Sequence, residues 1–424
     1  MQKKRNNTMS ISQDTIQKVF DCINDDQVVR FTQNFVRINS VNPNLNPGAT
    51  EAEGAAFLAD ACRDAGLQVT LEEITPDRPN FYCVLPGEED GIGLSFMGHL
   101  DTVPFFGMED PLSAEIRSGC IWGRGSVDMK GGVAASIQAL IALARSGVKL
   151  RKGIAVWGVI DEESEHRGAY ALENGNFRAD ACICTEASNL NITLGHRGTA
   201  PIHVDFKGVL AHSTASSSVN AIEKASKFIL ALNRIEPGKF HIPELDLTVQ
   251  GSINVGVISG GTQYNNIADS CSVFLDRRTV PGENQAFVLE EIQELLDALA
   301  AEDPHFNARI EISRPDWHWE PIRKRGLNPA YTPPTSHITQ VAQSSYRRLL
   351  DKEATLGYAY GYMDMDFTVN GLNIPTIRMG PGEGKYAHTV EERLSIADLL
   401  NATRLYVICA LELANHSQSV KQEQ

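Results

Sequence analysis

The sequence predicts an α/β protein: a mainly parallel-sheet domain with helices on both faces, interrupted by a smaller inserted α+β domain. Three observations carry that expectation. Apolar, β-like runs alternate with helix-period segments through the first half, the rhythm of βαβ units. The texture changes near Gly195, where hairpin-like strands and two amphipathic helices take over. Three of the apolar runs end in loops of glycine, aspartate, glutamate and histidine, and the strand ends of an open α/β sheet are where ligands gather.

The elements follow in order. Residues 67–74 and 81–85 alternate or run apolar, as strands do, and 93–97 and 120–122 are further strand-like runs. Residues 131–147 place Val133, Ile137, Leu140, Ile141 and Ala144 on one helix face, and Gly147 closes that helix as a C-cap. Strands recur at 153–160 and 181–185. Beyond Gly195, 202–206 alternates, 220–235 is an amphipathic helix, and 252–258 and 272–275 are strands. A second amphipathic helix over 284–302 (Val288, Ile292, Leu295, Leu296, Leu299) precedes a strand at 308–312. Residues 315–334, rich in proline and charge, read as a return linker. A helix (335–350), two strands (355–363, 374–379) and a final helix (395–416) follow. The domains expected are 1–194 with 315–424, and the insert 195–314.

Composition bounds the function. The chain has 424 residues, 42% hydrophobic and 21% charged, which suits a soluble globular protein of two domains. No apolar run reaches the ~20 residues expected of a membrane span. Residues 1–12 are polar and basic without an apolar core, so they read as a frayed tail rather than a secretory signal, with Met9 an alternative start. The eight cysteines are scattered, and Cys182-Ile183-Cys184 has a strand's alternation rather than a zinc ribbon's spacing. Free thiols in a reducing cytoplasm are expected. A net charge of −15 argues against nucleic acid or an anionic membrane as partner, and an anionic substrate would need local arginines.

The chemistry sits in three segments: Gly98-His99-Leu100-Asp101, Gly123 to Gly132 around Asp128, and Asp161-Glu162-Glu163. A hydrolytic metal site needs nitrogen and oxygen ligands, an open position for water and a base beside it. His99 and Asp101, two apart on an extended strand end, project the same way, which places Asp101 to orient the His99 ring through its second nitrogen. Asp128 lies between glycines that let the backbone bend toward a metal. Neighbouring carboxylates in the acidic triplet can point to different sides, one to a metal and one to water. Singly, an acidic triplet is usually a solvated turn and His-x-Asp is usually incidental; together, each after a strand, they point to a divalent-metal hydrolase.

These segments resemble the M20 metallopeptidase family, which includes acetylornithine deacetylases, succinyl-diaminopimelate desuccinylases, aminoacylases and glutamate carboxypeptidases. The similarity runs from about Val28 to Leu411 through GHLDTVP (98–104), GRGSVDMKGG (123–132), DEE (161–163), Thr185-Glu186-Ala187, GVLAHS (208–213), DRRTVPGE (276–283), Gly380-Pro381-Gly382 and Ala387-His388. The resemblance implies a two-metal centre in which Asp128 bridges, His99 and Glu186 complete one site, and Glu163 and His388 the other. It implies Glu162 as the general base. It implies an inserted domain that dimerises and caps the site, with His212 reaching across a homodimer to the tetrahedral oxyanion. Arg278 would grip a substrate carboxylate and Asn266 would line the same pocket, while Arg277 would face the other way. Imidazole and carboxylate ligands suit zinc foremost, and manganese or cobalt as well.

Departures from the family pattern leave some readings open. Glu165, His166 and Arg167 stand where a glycine and a small residue are usual, and either reshape a turn or touch substrate. Met363-Asp364-Met365-Asp366, after Tyr358, Tyr360 and Tyr362, replaces the usual Thr-Asp; the tyrosines either pack or accommodate an aromatic substrate. Trp317-His318-Trp319 reads as packing. The expected activity is hydrolysis of an amide or related C–N bond in a small carboxylate-bearing molecule, an N-acyl amino acid or short peptide. The alternative is an aminohydrolase or amidase on a non-peptide, aromatic amino compound. A non-catalytic binding protein of the same fold is disfavoured by the intact Glu162 and ligand set.

Overall fold

The computed structural model describes residues 11–215, 218–314 and 317–416. The tail through Ser10, with Met9, and the head of the expected linker at Pro315 lie outside them. Helices α1 (Gln13–Phe20), α2 (Asp25–Arg37) and α3 (Ala52–Asp64) lead to strands β1 (Gln68–Thr75), β2 (Arg78–Leu85) and β3 (Ile92–His99). The pair β4 (Glu115–Arg117) and β5 (Cys120–Trp122) precedes α4 (Gly131–Ser146), β6 (Gly153–Val159), α5 (Arg167–Asn174), β7 (Cys182–Ala187) and β8 (Ile192–His196). Next come β9 (Gly198–Lys207), β10 (Ala211–His212), α6 (Ala221–Ala231), β11 (Lys239–Ile242), β12 (Leu247–Gln250) and β13 (Ser252–Gly260). They are followed by β14 (Asn266–Ile267), β15 (Ser270–Thr279), α7 (Gln285–Glu302), β16 (Ala308–Ile312), α8 (Glu320–Arg325) and β17 (Ala330–Tyr331). The chain ends with α9 (His337–Leu350), β18 (Leu356–Ala359), β19 (Thr376–Gly380), β20 (Arg393–Ser395) and α10 (Ile396–Ala414).

Among the described residues, the first unit is built from both ends of the chain, residues 11–195, 332–357 and 367–416. Its sheet runs β1-β2-β6-β3-β7-β19-β8. The centre, β6-β3-β7-β19, is parallel, and β2 and β8 join it antiparallel. Apolar residues on both faces of β3, β6 and β7 are buried, as expected of strands covered twice. Phe96 on one face meets Tyr406 of α10, while Trp157 on the other meets Phe177 just after α5. In register, His99 lies beside Val159 and Met97 beside Cys184, so the ends of β3, β6 and β7 arrive at one edge. All eight cysteines are free thiols.

One stretch departs from expectation. Ser126–Ser146, 21 residues, is long and apolar enough to cross a membrane. It is 89% buried within the fold, because α4 is a core helix whose small residues let sheet and helices press against it from both sides.

Among the described residues, the second unit comprises 196–215, 218–314, 317–331 and 358–366. Its antiparallel sheet, β13-β15-β9-β16, buries Ile202, Val204, Phe206, Val273 and Leu275 on one face, with Phe228 of α6 and Val288 and Ile292 of α7 in the same core. Its bounds differ from the expected insert of 195–314. Residues 317–331 are not a linker back to the first unit: Thr199 N–H donates to Leu327 O (2.9 Å) and Gln285 Nε2 to Arg323 O (2.7 Å). Residues 358–366 also return, with Arg197 N–H bonded to Ala359 O and Arg325 paired with the buried Asp366 at 2.6 Å. Prolines and charges in that stretch terminate strands without making it independent.

Candidate metal centre

His99 closes β3 and is buried. Its Nδ1 lies 2.9 Å from the backbone carbonyl of Asp101, so the ring donates there and turns Nε2 outward. Nε2 stands 3.1 Å from Asp128 Oδ1 and 3.5 Å from Glu186 Oε1. The Asp101 carboxylate is 3.6 Å from the ring. It accepts instead from Glu162 N–H and Glu163 N–H, each at 3.1 Å, and from Asn42 Nδ2 at 2.7 Å. The His99 ring thus rests on the Asp101 carbonyl, while the Asp101 carboxylate, shared with the backbone of the acidic triplet, stays within ion-pair reach of the same nitrogen.

Asp128 lies in a tight turn, Ser126–Lys130, with extended backbone angles at its centre (φ −126, ψ 92) and a cis peptide to Met129. Glu392 holds that turn: its Oε1 accepts the N–H groups of Val127 and Asp128, both at 3.2 Å, and its other oxygen pairs with buried Arg124. Lys130, also buried, donates to the carbonyls of Phe35 (3.2 Å) and Ile38 (2.6 Å) at the end of α2. Burial pushes its pKa down to about 7.

His388 arrives from beyond β19 with φ +61, and its Nε2 is 3.1 Å from Asp128 Oδ2 and 3.2 Å from Glu163. The two oxygens of Asp128 therefore face different partners, His99 with Glu186 on one side and His388 with Glu163 on the other. Donor atoms of His99, Asp128 and Glu163 fall within 4.8 Å of one another. Burial and the Asp128 charge push Glu163 up to about 7. Burial opposes charge at Asp128 too, yet the His388 and His99 rings hold it well below the usual carboxylate range. Hydrogen bonds to Asp128 and Glu163 raise His388 to about 10. Burial works against a charged His99, but Asp101, Asp128, Glu186 and Glu162 together hold it well above its ordinary value. Two imidazoles and three carboxylates, with no thiolate among them, fit a divalent transition metal.

Close backbone packing sets Glu186. A Cβ on Gly132 would lie 2.0 Å from Thr185 O, and one on Gly380 would lie 2.1 Å from that oxygen and 2.4 Å from Glu186 O. Helix α4 and strand β19 press against β7 from two directions, and only glycine allows it.

Glu162 is half-buried beside these groups, its backbone fixed on Asp101. Glu165 pairs with Arg167, whose guanidinium is 3.7 Å from Asp161, and His166 takes φ +55. These bulky residues shape the turn into α5. In the second unit, His212 and Asn266 face each other across the β10–β14 pair, and exposed His212 bonds Thr214 Oγ1 at 2.9 Å. Arg278, partly exposed on β15, lies 3.0 Å from Asp276, whereas Arg277 is buried against Glu283 and Glu291. The tyrosines do not form one face: Tyr358 is buried with its hydroxyl on His196 O, Tyr360 lies exposed beside Arg197, and Tyr362 bonds Asp366. Trp317 is buried, as packing requires. Sequence reasoning missed Asn42, Glu51, Arg78, Arg124 and Glu392.

A parallel sheet that delivers this donor set to one edge defines a metal-dependent hydrolase. The family described as peptidase family M20/M25/M40 matches residues 95–412, so the chain belongs to that family and acts on C–N bonds. It is 26% identical over 427 aligned residues (92% of this chain, 96% of the relative) to N-formyl-4-amino-5-aminomethyl-2-methylpyrimidine deformylase of Halalkalibacterium halodurans. It is 29% identical over 357 residues (82% and 87%) to acetylornithine deacetylase of Edwardsiella ictaluri. The structure of aminopeptidase PepT from Bacillus cereus shares the fold, with a TM-score of 0.75, 22% identity and coverage of 93% of this chain and 100% of that one.

Proposed function

We propose that the protein hydrolyses an amide in a small, carboxylate-bearing N-acyl compound or short peptide, using two divalent metals, zinc foremost, with manganese or cobalt also fitting. The observation that carries this reading is the divided Asp128 carboxylate, one oxygen toward His99 and Glu186 and the other toward His388 and Glu163. Metals held by these residues would supply Lewis acidity, acidifying water and polarising the scissile carbonyl. Glu162 takes the proton from the attacking water and returns it to the leaving amine. Its neighbour Glu163 is turned to His388, so the two carboxylates divide the work of base and ligand. His212 donates to the tetrahedral oxyanion of the partner subunit's site, and Arg278 and Asn266 hold the substrate carboxylate.

The working form is a cytoplasmic homodimer joined through the second unit. The outer edge of β13 is unpaired among the described residues, and Val257 and Ile258 on it are about half exposed (53% and 49%), with Leu210 at 56%. An apolar strand edge of that kind suits a second copy.

A second reading is favoured by the likeness to the pyrimidine deformylase: an amidase acting on an aromatic aminomethyl compound. A liberated-amine screen of metal-loaded protein separates the two. Turnover of N-acyl amino acids or dipeptides supports the first reading, and turnover confined to N-formyl aminomethylpyrimidines supports the second. Activity that survives complete metal removal would overturn both.

A further inference from the structure

Behind the donor cluster lies a buried polar network that meets the donor side chains of the proposed centre only through the Asp101 carboxylate, 3.6 Å from the His99 ring. We infer that Asn42, backed by the Arg78–Glu51 pair, is a positioning residue for the Glu162–Glu163 turn. The inference rests on the reading of Glu162 as base and Glu163 as ligand.

The side-chain amide of Asn42 donates to Asp101 Oδ2 at 2.7 Å and to Asp161 Oδ1 at 3.0 Å. It thereby bridges two carboxylates that are wholly buried. Each does a separate job. Asp101 accepts the backbone N–H groups of Glu162 and Glu163. Asp161 starts the turn in a left-handed conformation (φ +72), and its Oδ1 also accepts from Arg78 at 2.8 Å and Asn44 at 3.0 Å. Arg78 is forked onto buried Glu51 through bonds of 2.8 and 2.6 Å.

Asn42 is itself anchored. Its N–H donates to Thr102 O (2.9 Å), its Oδ1 accepts Asn44 N–H (3.0 Å), and neighbouring Ser40 bonds Leu100 O (2.7 Å). One strand end, residues 100–102, is thus tied through Asn42 to the other, residues 161–163. Charges this deep are tolerated only where donors satisfy them. Through Asp101 and Asp161 the network converges on the turn that carries Glu162 and Glu163. A network serving stability alone would have no reason to converge there.

The test is a double-mutant cycle on the metal-loaded enzyme. Asn42→Ala should lower kcat by about 10–100-fold, the usual cost of losing an outer support of a metal site, with KM changed far less. Asn42→Ala should also release metal to a chelator faster than wild type does. Combined with Glu162→Gln and assayed at saturating metal, which offsets a loosened Glu163, it should cost far less turnover than it costs alone, because misplacing a base already removed changes little. Independent, multiplying losses would show a merely structural role and overturn the inference, as would wild-type kcat in Asn42→Ala. Should Asn42→Ala not fold, Arg78→Lys replaces it in the same cycle, since lysine keeps the charge and loses the fork. Full turnover in Glu162→Gln alone would remove the base assignment instead. Metal retention in Asn42→Ala then decides the inference through Glu163: faster release supports it, and wild-type retention overturns it.

Discussion

Asp128 illustrates what a single residue carries here. Its two oxygens meet two imidazoles, and both imidazoles are raised, His388 to about 10, by the carboxylates around them. Without metal, the cluster therefore holds protons on His99 and His388 at neutral pH. Metal must displace them, together with any proton on Glu163, so uptake should release at least two protons per chain, and affinity should rise with pH. Calorimetry in buffers of different ionisation heat measures this, and uptake without proton release would refute it. The sign for stability is opposite. In the metal-free chain, His388 lends stability fully below its unfolded value near 6.5 and loses it as pH climbs through about 10. At Glu162, replacement by glutamine keeps size and removes the acceptor, so turnover should fall by about 10²–10⁴ with metal content unchanged. Near-normal turnover in Glu162→Gln would reject the proposed mechanism. His99, Asp128 and Glu163 stood out in the sequence because each sits in a short motif after a strand. Glu392 and Asn42 did not, because what gives each its role, Asp128 for one and Asp101 with Asp161 for the other, lies far away in the chain.

Elements were legible where their ends carry local chemistry. Asn220 and Asn284 cap α6 and α7 with their side chains, and Gly147 ends α4 in a left-handed conformation. The expected strand at 355–363 shrinks to Leu356–Ala359, because its tyrosines go to different partners rather than to one sheet face. Alternation in sequence does not reveal that. Nor does it show how closely α4 approaches β7, which the glycines of the Asp128 motif permit. A methyl group at Gly132 would meet a backbone oxygen at 2.0 Å, and neither α4 nor β7 can yield cheaply. Gly132→Ala should cost about 1–3 kcal/mol and lower the melting temperature by several degrees. An unchanged melting temperature would mean that the two elements are not held as closely as described.

For the whole molecule, the division into two units was readable from the change of texture near Gly195. The second boundary was not, since residues 317–331 and 358–366 group with the second unit through bonds to residues far away in the chain. If β13 is the dimer edge, Ile258→Asp should yield a monomer by sedimentation, and a persistent dimer would place the interface elsewhere. If His212 serves the partner's site, mixed and reassociated Glu162→Gln and His212→Ala chains should regain activity, because a heterodimer has one undamaged site. Confirmed subunit exchange without recovery would reject that arrangement. The sheet order has a further consequence, for how the chain is born. Strand β19 sits between β7 and β8 in space but leaves the ribosome long after both. By the time β8 emerges, His99, Asp128, Glu163 and Glu186 have been made, while His388 is still to come. A chain cut short before Thr376 thus carries most of the donors but leaves the neighbouring edges of β7 and β8 bare, the kind of surface through which unfinished chains pair with one another. Completing the proposed donor set and sealing the sheet thus both wait on residues 376–388.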